Sequence, residues 1–195
     1  MDRLKLEFPT LARKEDAIEY IKEFDADGSR LDGTNRLKQY IDDYSSWIKR
    51  LDEDLKREPN EDRVPAETYF LVRESDNRIV GMINIRLTLN HNLWNFGGHI
   101  GYSIRPSERR KGYNKINLYL ALCICERRGI EVVLLDCAKD NLGSSKTMRA
   151  LGGKMIYEYF DSKENTIVQN YVIDVKTSLE TYRVHFSGLI AEYPE

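Results

Sequence analysis

The chain has 195 residues, a formal net charge of -2, 41% apolar residues and 32% charged residues. That length suits one domain, or one domain with an extension, and the slightly acidic balance gives no footprint for nucleic acid. No apolar run is long enough to span a membrane, and the start Met-Asp-Arg-Leu-Lys-Leu-Glu lacks the apolar core of a signal peptide, so a cytoplasmic protein without a membrane partner is expected.

Leu4 to Phe8 reads as a short strand ended by Pro9, Lys14 to Phe24 as a helix, and Asp25 to Asn35 as a polar loop. Leu37, Ile41, Tyr44, Ile48, Leu51 and Leu55 then mark one face of a long amphipathic helix. The charged run from Glu58 to Pro65 ends it. Thr68 to Glu74 reads as a strand. From Gly81 to Asn90 apolar residues alternate with Met82, Asn84, Arg86, Thr88 and Asn90, which predicts a long strand with one buried face. The turn Asn95-Phe-Gly-Gly98 leads into a further strand, His99 to Ile104, so these strands form an antiparallel meander.

Lys115 to Arg128 reads as a helix capped by Gly129. Glu131 to Ala138, with Val-Val-Leu-Leu, reads as a strand buried on both sides and parallel to its predecessor. A short helix from Leu142 to Leu151 stops at Gly152-Gly153, and strands Lys154 to Phe160 and Ile167 to Val175 follow. The last twenty residues are open between an added strand, a dimer arm and a loose tail. Cys123, Cys125 and Cys137 read as free thiols in apolar surroundings, and His91, His99 and His185 are scattered, so no metal site is expected.

The segment Arg109-Arg110-Lys111-Gly112-Tyr113-Asn114 lies between a strand and a helix. Backbone N–H groups at such a turn have no internal partners, and the helix dipole adds positive charge, so a phosphate or pyrophosphate is the expected guest. There is no Gly-x-x-x-x-Gly-Lys-Ser/Thr and no Gly-x-Gly-x-x-Gly, which argues against Walker-type and dinucleotide-binding loops.

The order of elements and two spaced motifs resemble the GNAT N-acetyltransferase superfamily. Arg109, Gly112 and Asn114 occupy the specified positions of its Gln/Arg-x-x-Gly-x-Gly/Ala loop, with Asn114 in place of a small residue. Asp140-Asn141-Leu-Gly-Ser144 followed by Leu151-Gly152 resembles the second motif. The resemblance covers residues 1–175, leaving 176–195 as an extension, and is closest to a group of predicted bacterial acetyltransferases. It implies an α/β (α+β) fold: a mixed, mostly antiparallel central sheet, helices on both faces, and a splayed parallel strand pair at the acyl-CoA site.

It also implies an acetyl-CoA-dependent N-acetyltransferase that moves an acetyl group to a primary amine by direct attack on the thioester. The backbone from Arg110 to Asn114, including Tyr113, would hold the pyrophosphate, helped by the charges of Arg109, Arg110 and Lys111, with Arg105 a weaker candidate. Ile100 to Ile104 would lie along the pantetheine arm, and Asn141 and Ser144 would bond the cofactor. His99 stands where relatives carry a glutamate base; it reads either as that base or as a structural histidine. Met148 stands where relatives carry an acid tyrosine. Tyr102, Tyr157 and Cys137 are then the substitutes, and Met148 reads as core.

Trp47, Trp94 and Phe96 are candidates for an acceptor pocket, and Asp25, Asp27, Asp32 and Asp52-Glu53-Asp54 either favour a cationic acceptor or form solvated faces. The expected acceptor is a small-molecule or peptide amine, and the expected assembly is a homodimer through the last strand or the tail. Two alternatives remain open: a non-catalytic acyl-CoA-binding or sensing module, and an unrelated α/β domain with a phosphate-binding turn.

Overall fold

A computed structural model describes residues 2–194. Four strands form one antiparallel sheet in the order β1-β2-β3-β4: β1 Leu4–Glu7, β2 Ala66–Arg73, β3 Arg78–Arg86 and β4 Ile100–Ile104. Three more form a second antiparallel sheet in the order β5-β7-β6: β5 Val132–Ala138, β6 Lys154–Asp161 and β7 Thr166–Asp174. The helices are α1 Lys14–Asp27, α2 Tyr44–Leu55, α3 His91–Asn95, α4 Tyr113–Arg127, α5 Leu142–Ala150 and α6 Val175–Ser187.

The side-chain alternation of β2 and β3 feeds two cores. Phe70, Val72, Ile79 and Met82 pack with Tyr20, Phe24, Leu37 and Trp47 of the α1–α2 layer. Leu71, Val80, Ile83 and Ile85 pack on the opposite face with the α4 residues Ile116, Leu120 and Ile124. The one-sided strand expected at β3 is therefore a central strand buried on both faces, and it ends at Arg86 rather than continuing to Asn90. The Leu87 N–H makes a last in-register bond to the Pro65 carbonyl at 2.8 Å, and the chain then turns into the short α3, which periodicity did not predict.

The long helix expected from Leu37 is broken. A single 3-10 turn, Leu37–Tyr40, precedes a fresh start at α2, where the Asp43 carboxylate accepts the Ser46 N–H at 3.2 Å. A side-chain cap of this kind offers the backbone an alternative to a continuous helix. The C-terminal segment is also corrected: beyond 174 it is neither a loose tail nor an added strand but α6. The Asp174 side chain caps it at the Thr177 N–H (2.8 Å), and Tyr119 of α4 stacks on its Phe186 at 4.7 Å. Leu189 and Ala191 then bond the backbone of Leu4, so the two ends of the chain meet. The last strand, β7, lies in the middle of its sheet, and the exposed edge is β6.

The two sheets part between β4 and β5. Their backbones touch where the His99 N–H donates to the Leu134 carbonyl at 2.8 Å. The approach is close enough to require glycine at the preceding position: Gly98 has φ +58°, and a Cβ there would lie 2.7 Å from the Leu134 carbonyl carbon. The strands run in the same direction beyond this point, and Tyr102 and Cys137 line the gap between them. β5 pairs on its other side with β7, with Leu135 opposite Tyr171. The sequence reading has it buried on both faces; instead burial alternates, with Val133, Leu135 and Cys137 buried and Val132 exposed.

Candidate active site

Two hollows meet where β4 and β5 diverge. The larger, about 620 Å³, runs along Ser103, Ile104, Arg109, Arg110, Gly112 and Asn114 to the start of α5. The smaller, about 330 Å³, lies between β4, β5 and the β6–β7 turn. Tyr102, Asn141 and Ser144 line both. At this junction the hydroxyls of Tyr102 and Ser144 are 2.7 Å apart. Burial pushes the Tyr102 hydroxyl well above the ordinary tyrosine pKa, so it holds its proton at neutral pH; the Ser144 hydrogen bond offsets this in part.

The basic turn forms the mouth of the larger cleft. Arg110 and Gly112 both take left-handed backbone angles, φ +64° and +83°, and Gly112 is the N-cap of α4. Among the described residues, the backbone N–H groups from Arg110 to Asn114 have no acceptor. Five consecutive free donors at a helix start suit a polyanion. Arg109 sits over the Phe24 ring at 5.3 Å and holds Asp27 at 2.9 Å and the Ser29 hydroxyl at 2.6 Å, so it ties the turn to the end of α1. Arg110 makes no ion pair among the described residues.

The family-model comparison matches residues 35–152 to the acetyltransferase (GNAT) family. The chain belongs to that family. A comparison with curated proteins finds no match. Solved structures share the fold at low identity. An acetyltransferase of the GNAT family from Bacillus anthracis matches at 15% identity and TM-score 0.62, covering 90% of this chain and 96% of its own. RimL, a ribosomal L7/L12 α-N-protein acetyltransferase in complex with coenzyme A, matches at 17% and 0.65, covering 89% and 96%. The microcin C7 self-immunity acetyltransferase MccE, in complex with acetyl-CoA and AMP, matches at 18% and 0.65, covering 88% and 92%.

For a GNAT enzyme the donor is acetyl-CoA, and the larger cleft fits it: free N–H groups and an unpaired Arg110 for the pyrophosphate, and a β4 edge beyond His99 with no strand paired to it. Ile104 lines that cleft and Ile100 the smaller cavity. Asn141 caps α5, its side chain accepting the Ser144 N–H at 3.1 Å. Asn114 donates to the Thr147 hydroxyl at 3.3 Å, and its Oδ1 is buried without a partner. Tyr113 lines the cleft, and its side chain is buried, with its hydroxyl donating to Asp2 at 2.9 Å.

Several residues expected at the site lie outside the two hollows. Lys111 does not line the cleft; its ammonium pairs with buried Glu108 at 2.7 Å, which also takes Arg73 at 2.7 Å and Arg78 at 3.3 Å. Arg105 is wholly buried on the other side of β4, against Glu19 and Glu23 at 3.1 Å each. His99 is 9% exposed and lines neither hollow. Its Nδ1 accepts the Leu134 N–H at 3.0 Å, so the neutral ring keeps its proton on Nε2 and has no free lone pair for a substrate. Burial, with the Arg86 charge, lowers its pKa to about 4.

Met148 is core, as read from the sequence. Trp47 is core too, its indole bonding the carbonyls of Thr34 and Asn35 at 3.2 Å, whereas Trp94 is exposed and lines neither of these two hollows. Phe96 does line the smaller cavity, edge-on to Tyr159 at 5.4 Å. Of the acidic residues Asp32 lines it, while Asp54 is buried among Asn35, Arg57 and Arg63. Asp25 pairs with Lys38 and Asp27 with Arg109. The Asp32–Gly33 segment roofs the cavity. The Ser103 hydroxyl donates to the Asp32 carbonyl at 2.6 Å, and a Cβ on Gly33 would lie 2.6 Å from the Tyr102 Cα.

Two residues that sequence reasoning missed complete the cavity. Asp136 on β5 accepts the Gly97 N–H at 2.7 Å, and Arg86 at the end of β3 donates to the carbonyls of Gly97 and Gly98 at 2.8 and 2.7 Å. Burial raises the Asp136 pKa, against the Gly97 N–H and the Arg86 charge. For Asp136 the signal was present in the chain, as a lone charge inside an otherwise apolar strand; Arg86, at the end of β3, carried none.

Proposed function

We propose that the protein moves an acetyl group from acetyl-CoA to the primary amine of a small molecule or peptide, the amine attacking the thioester directly. The observation that carries this is the meeting of the two hollows at the Tyr102–Ser144 pair. An amine in the smaller cavity and a thioester in the larger cleft share one wall there, which converts a bimolecular encounter into a held pair.

The N–H groups from Arg110 to Asn114, with Arg109 and Arg110, hold the pyrophosphate. The β4 edge from Ile100 to Ile104 aligns the acyl arm, with Asn141 and Ser144 alongside. Asp136 receives the amine proton, replacing His99, because its second carboxylate oxygen is free and it lines the cavity. The Tyr102 hydroxyl gives a proton to the departing sulfur, the role left open by Met148. A purely binding role is not favoured: a proton donor and a proton acceptor both line the cavity. The exposed apolar side chains of the β6 edge, Met155, Ile156, Tyr157 and Phe160, support a homodimer at this edge.

The test is acetyl-CoA binding by calorimetry, on the wild type and on Gly112→Asp. The substitution sets a carboxylate at the N-cap of α4, and affinity should fall at least tenfold, about 1.4 kcal/mol or more. Equal binding by both proteins would remove the turn from the donor site. No binding by the wild type would remove the donor assignment altogether.

A further inference from the structure

Two opposite charges line the smaller cavity without meeting each other. Arg86 and Asp136 form no ion pair, yet each is fixed at one end to the same turn: Arg86 by Nη1 to the carbonyls of Gly97 and Gly98, Asp136 by one oxygen to the Gly97 N–H. Among the described residues, Nη2 of Arg86 and the second oxygen of Asp136 have no partner. The other acidic residues of this cavity are differently placed. Asp32 and Glu164 lie at the rim and share Arg30, at 3.0 and 4.0 Å, and Asp161 accepts the Lys163 N–H of the β6–β7 turn at 2.8 Å. The rim carboxylates thus have contacts within the chain, two of them sharing one arginine, whereas Nη2 of Arg86 has none among the described residues.

We infer that the acceptor is a small amine carrying an anionic group, a carboxylate or a phosphate, within a few bonds of its nitrogen, with the ammonium at Asp136 and the anion at Arg86; this rests on the transferase reading above. Arg86 is half-buried and makes no ion pair among the described residues, so a ligand oxyanion gains a charge-assisted pair at its free Nη2. An acceptor that is cationic throughout, such as a polyamine, satisfies Asp136 and leaves Arg86 facing like charge. The shared anchor at Gly97 and Gly98 fixes the spacing of the two sites. A volume of about 330 Å³ limits the acceptor to a small molecule or the end of one.

The experiment measures free-thiol release from acetyl-CoA with matched amines. The probes are the protein L-amino acids against their decarboxylated amines, O-phosphoethanolamine against ethanolamine, and spermidine as the all-cationic case. At least one anionic amine should exceed its neutral match by about tenfold or more in kcat/KM, with the carboxylate and phosphate arms identifying the anion. In Arg86→Gln that ratio should collapse toward one, and Arg86→Lys should restore part of it. Acetyl-CoA binding is measured on every variant, so a misfolded protein is recognised and the lysine variant decides. Turnover of spermidine or the neutral amines at the anionic rate, or acetyl-CoA binding with no anionic amine acetylated, overturns the inference alone. Absence of acetyl-CoA binding in the wild type overturns the transferase reading and this inference together.

Discussion

His99 and Leu134 bond each other twice: the Leu134 N–H donates to the His99 Nδ1 at 3.0 Å, and the His99 N–H donates to the Leu134 carbonyl at 2.8 Å. The imidazole thus acts as part of the backbone ladder at the point where the sheets separate. Its pKa is lowered from 6.5 to about 4, so the unfolded chain binds the proton more readily than the folded one. The stability it contributes is complete above pH 6.5 and is lost as pH falls toward 4. Between pH 7.5 and 4.5 the wild type should lose about 2–3 kcal/mol more than His99→Gln, measured by urea unfolding. Equal losses would show that the ring is not held neutral.

Tyr102→Phe removes the hydroxyl that meets Ser144 but leaves the ring that fills the junction. Acetyl-CoA affinity should be unchanged and kcat should fall by about 10²-fold, the usual worth of a positioned acid. An unchanged kcat would leave the departing thiolate unassisted, as its mild basicity permits, and return Tyr102 to a packing role.

Asp136→Asn keeps the shape of the cavity wall and the acceptor for the Gly97 N–H, but removes the proton acceptor. With a working amine, kcat/KM should fall by roughly 10²–10⁴-fold. The wild-type profile should lose activity as pH falls through the Asp136 pKa, which burial places above the ordinary carboxylate value of about 4. The variant should lack that limb. An identical limb in both proteins would assign the titration elsewhere.

Gly98→Ala introduces a Cβ at φ +58°, against the Leu134 carbonyl. Backbone cannot give way as a flexible side chain does, so the contact between β4 and β5 must open. Destabilisation of at least about 2 kcal/mol is expected, with weaker acetyl-CoA binding. Gly129→Ala is the control: its φ is also positive, at +72°, but nothing lies within 4 Å. It should cost only about 1 kcal/mol.

The parts of the fold legible in the sequence are those written locally. The basic glycine turn, α4 after it and the Asn141 cap of α5 each depend on residues within a few positions of one another. The misread elements depend on distant chain. Leu37 to Leu55 keeps a helical period, but Asp43 interrupts it with a cap. Alternation at β3 hid a second buried face, because Met82 meets a helix layer that precedes it by some sixty residues. At the site, the turn was readable and the cavity was not. Arg86, Asp136 and Asp32 come from three separate segments and converge only in the folded chain. Charge alone also overcounted: Lys111 and Arg105 look identical to Arg110 in sequence, and each is claimed by a buried or neighbouring carboxylate.

The junction at Tyr102 and Ser144 separates two kinds of wall. The side proposed for the donor offers mostly main chain, the N–H groups of the turn and the edge of β4, which most side-chain substitutions leave in place. The side proposed for the acceptor offers single side chains on the 30–33 loop, β3, β5 and the β6–β7 turn. Drift at those few positions can exchange one acceptor for another while the donor half goes on unchanged, so a lineage built on this frame can diversify its chemistry without losing its supply of acetyl groups.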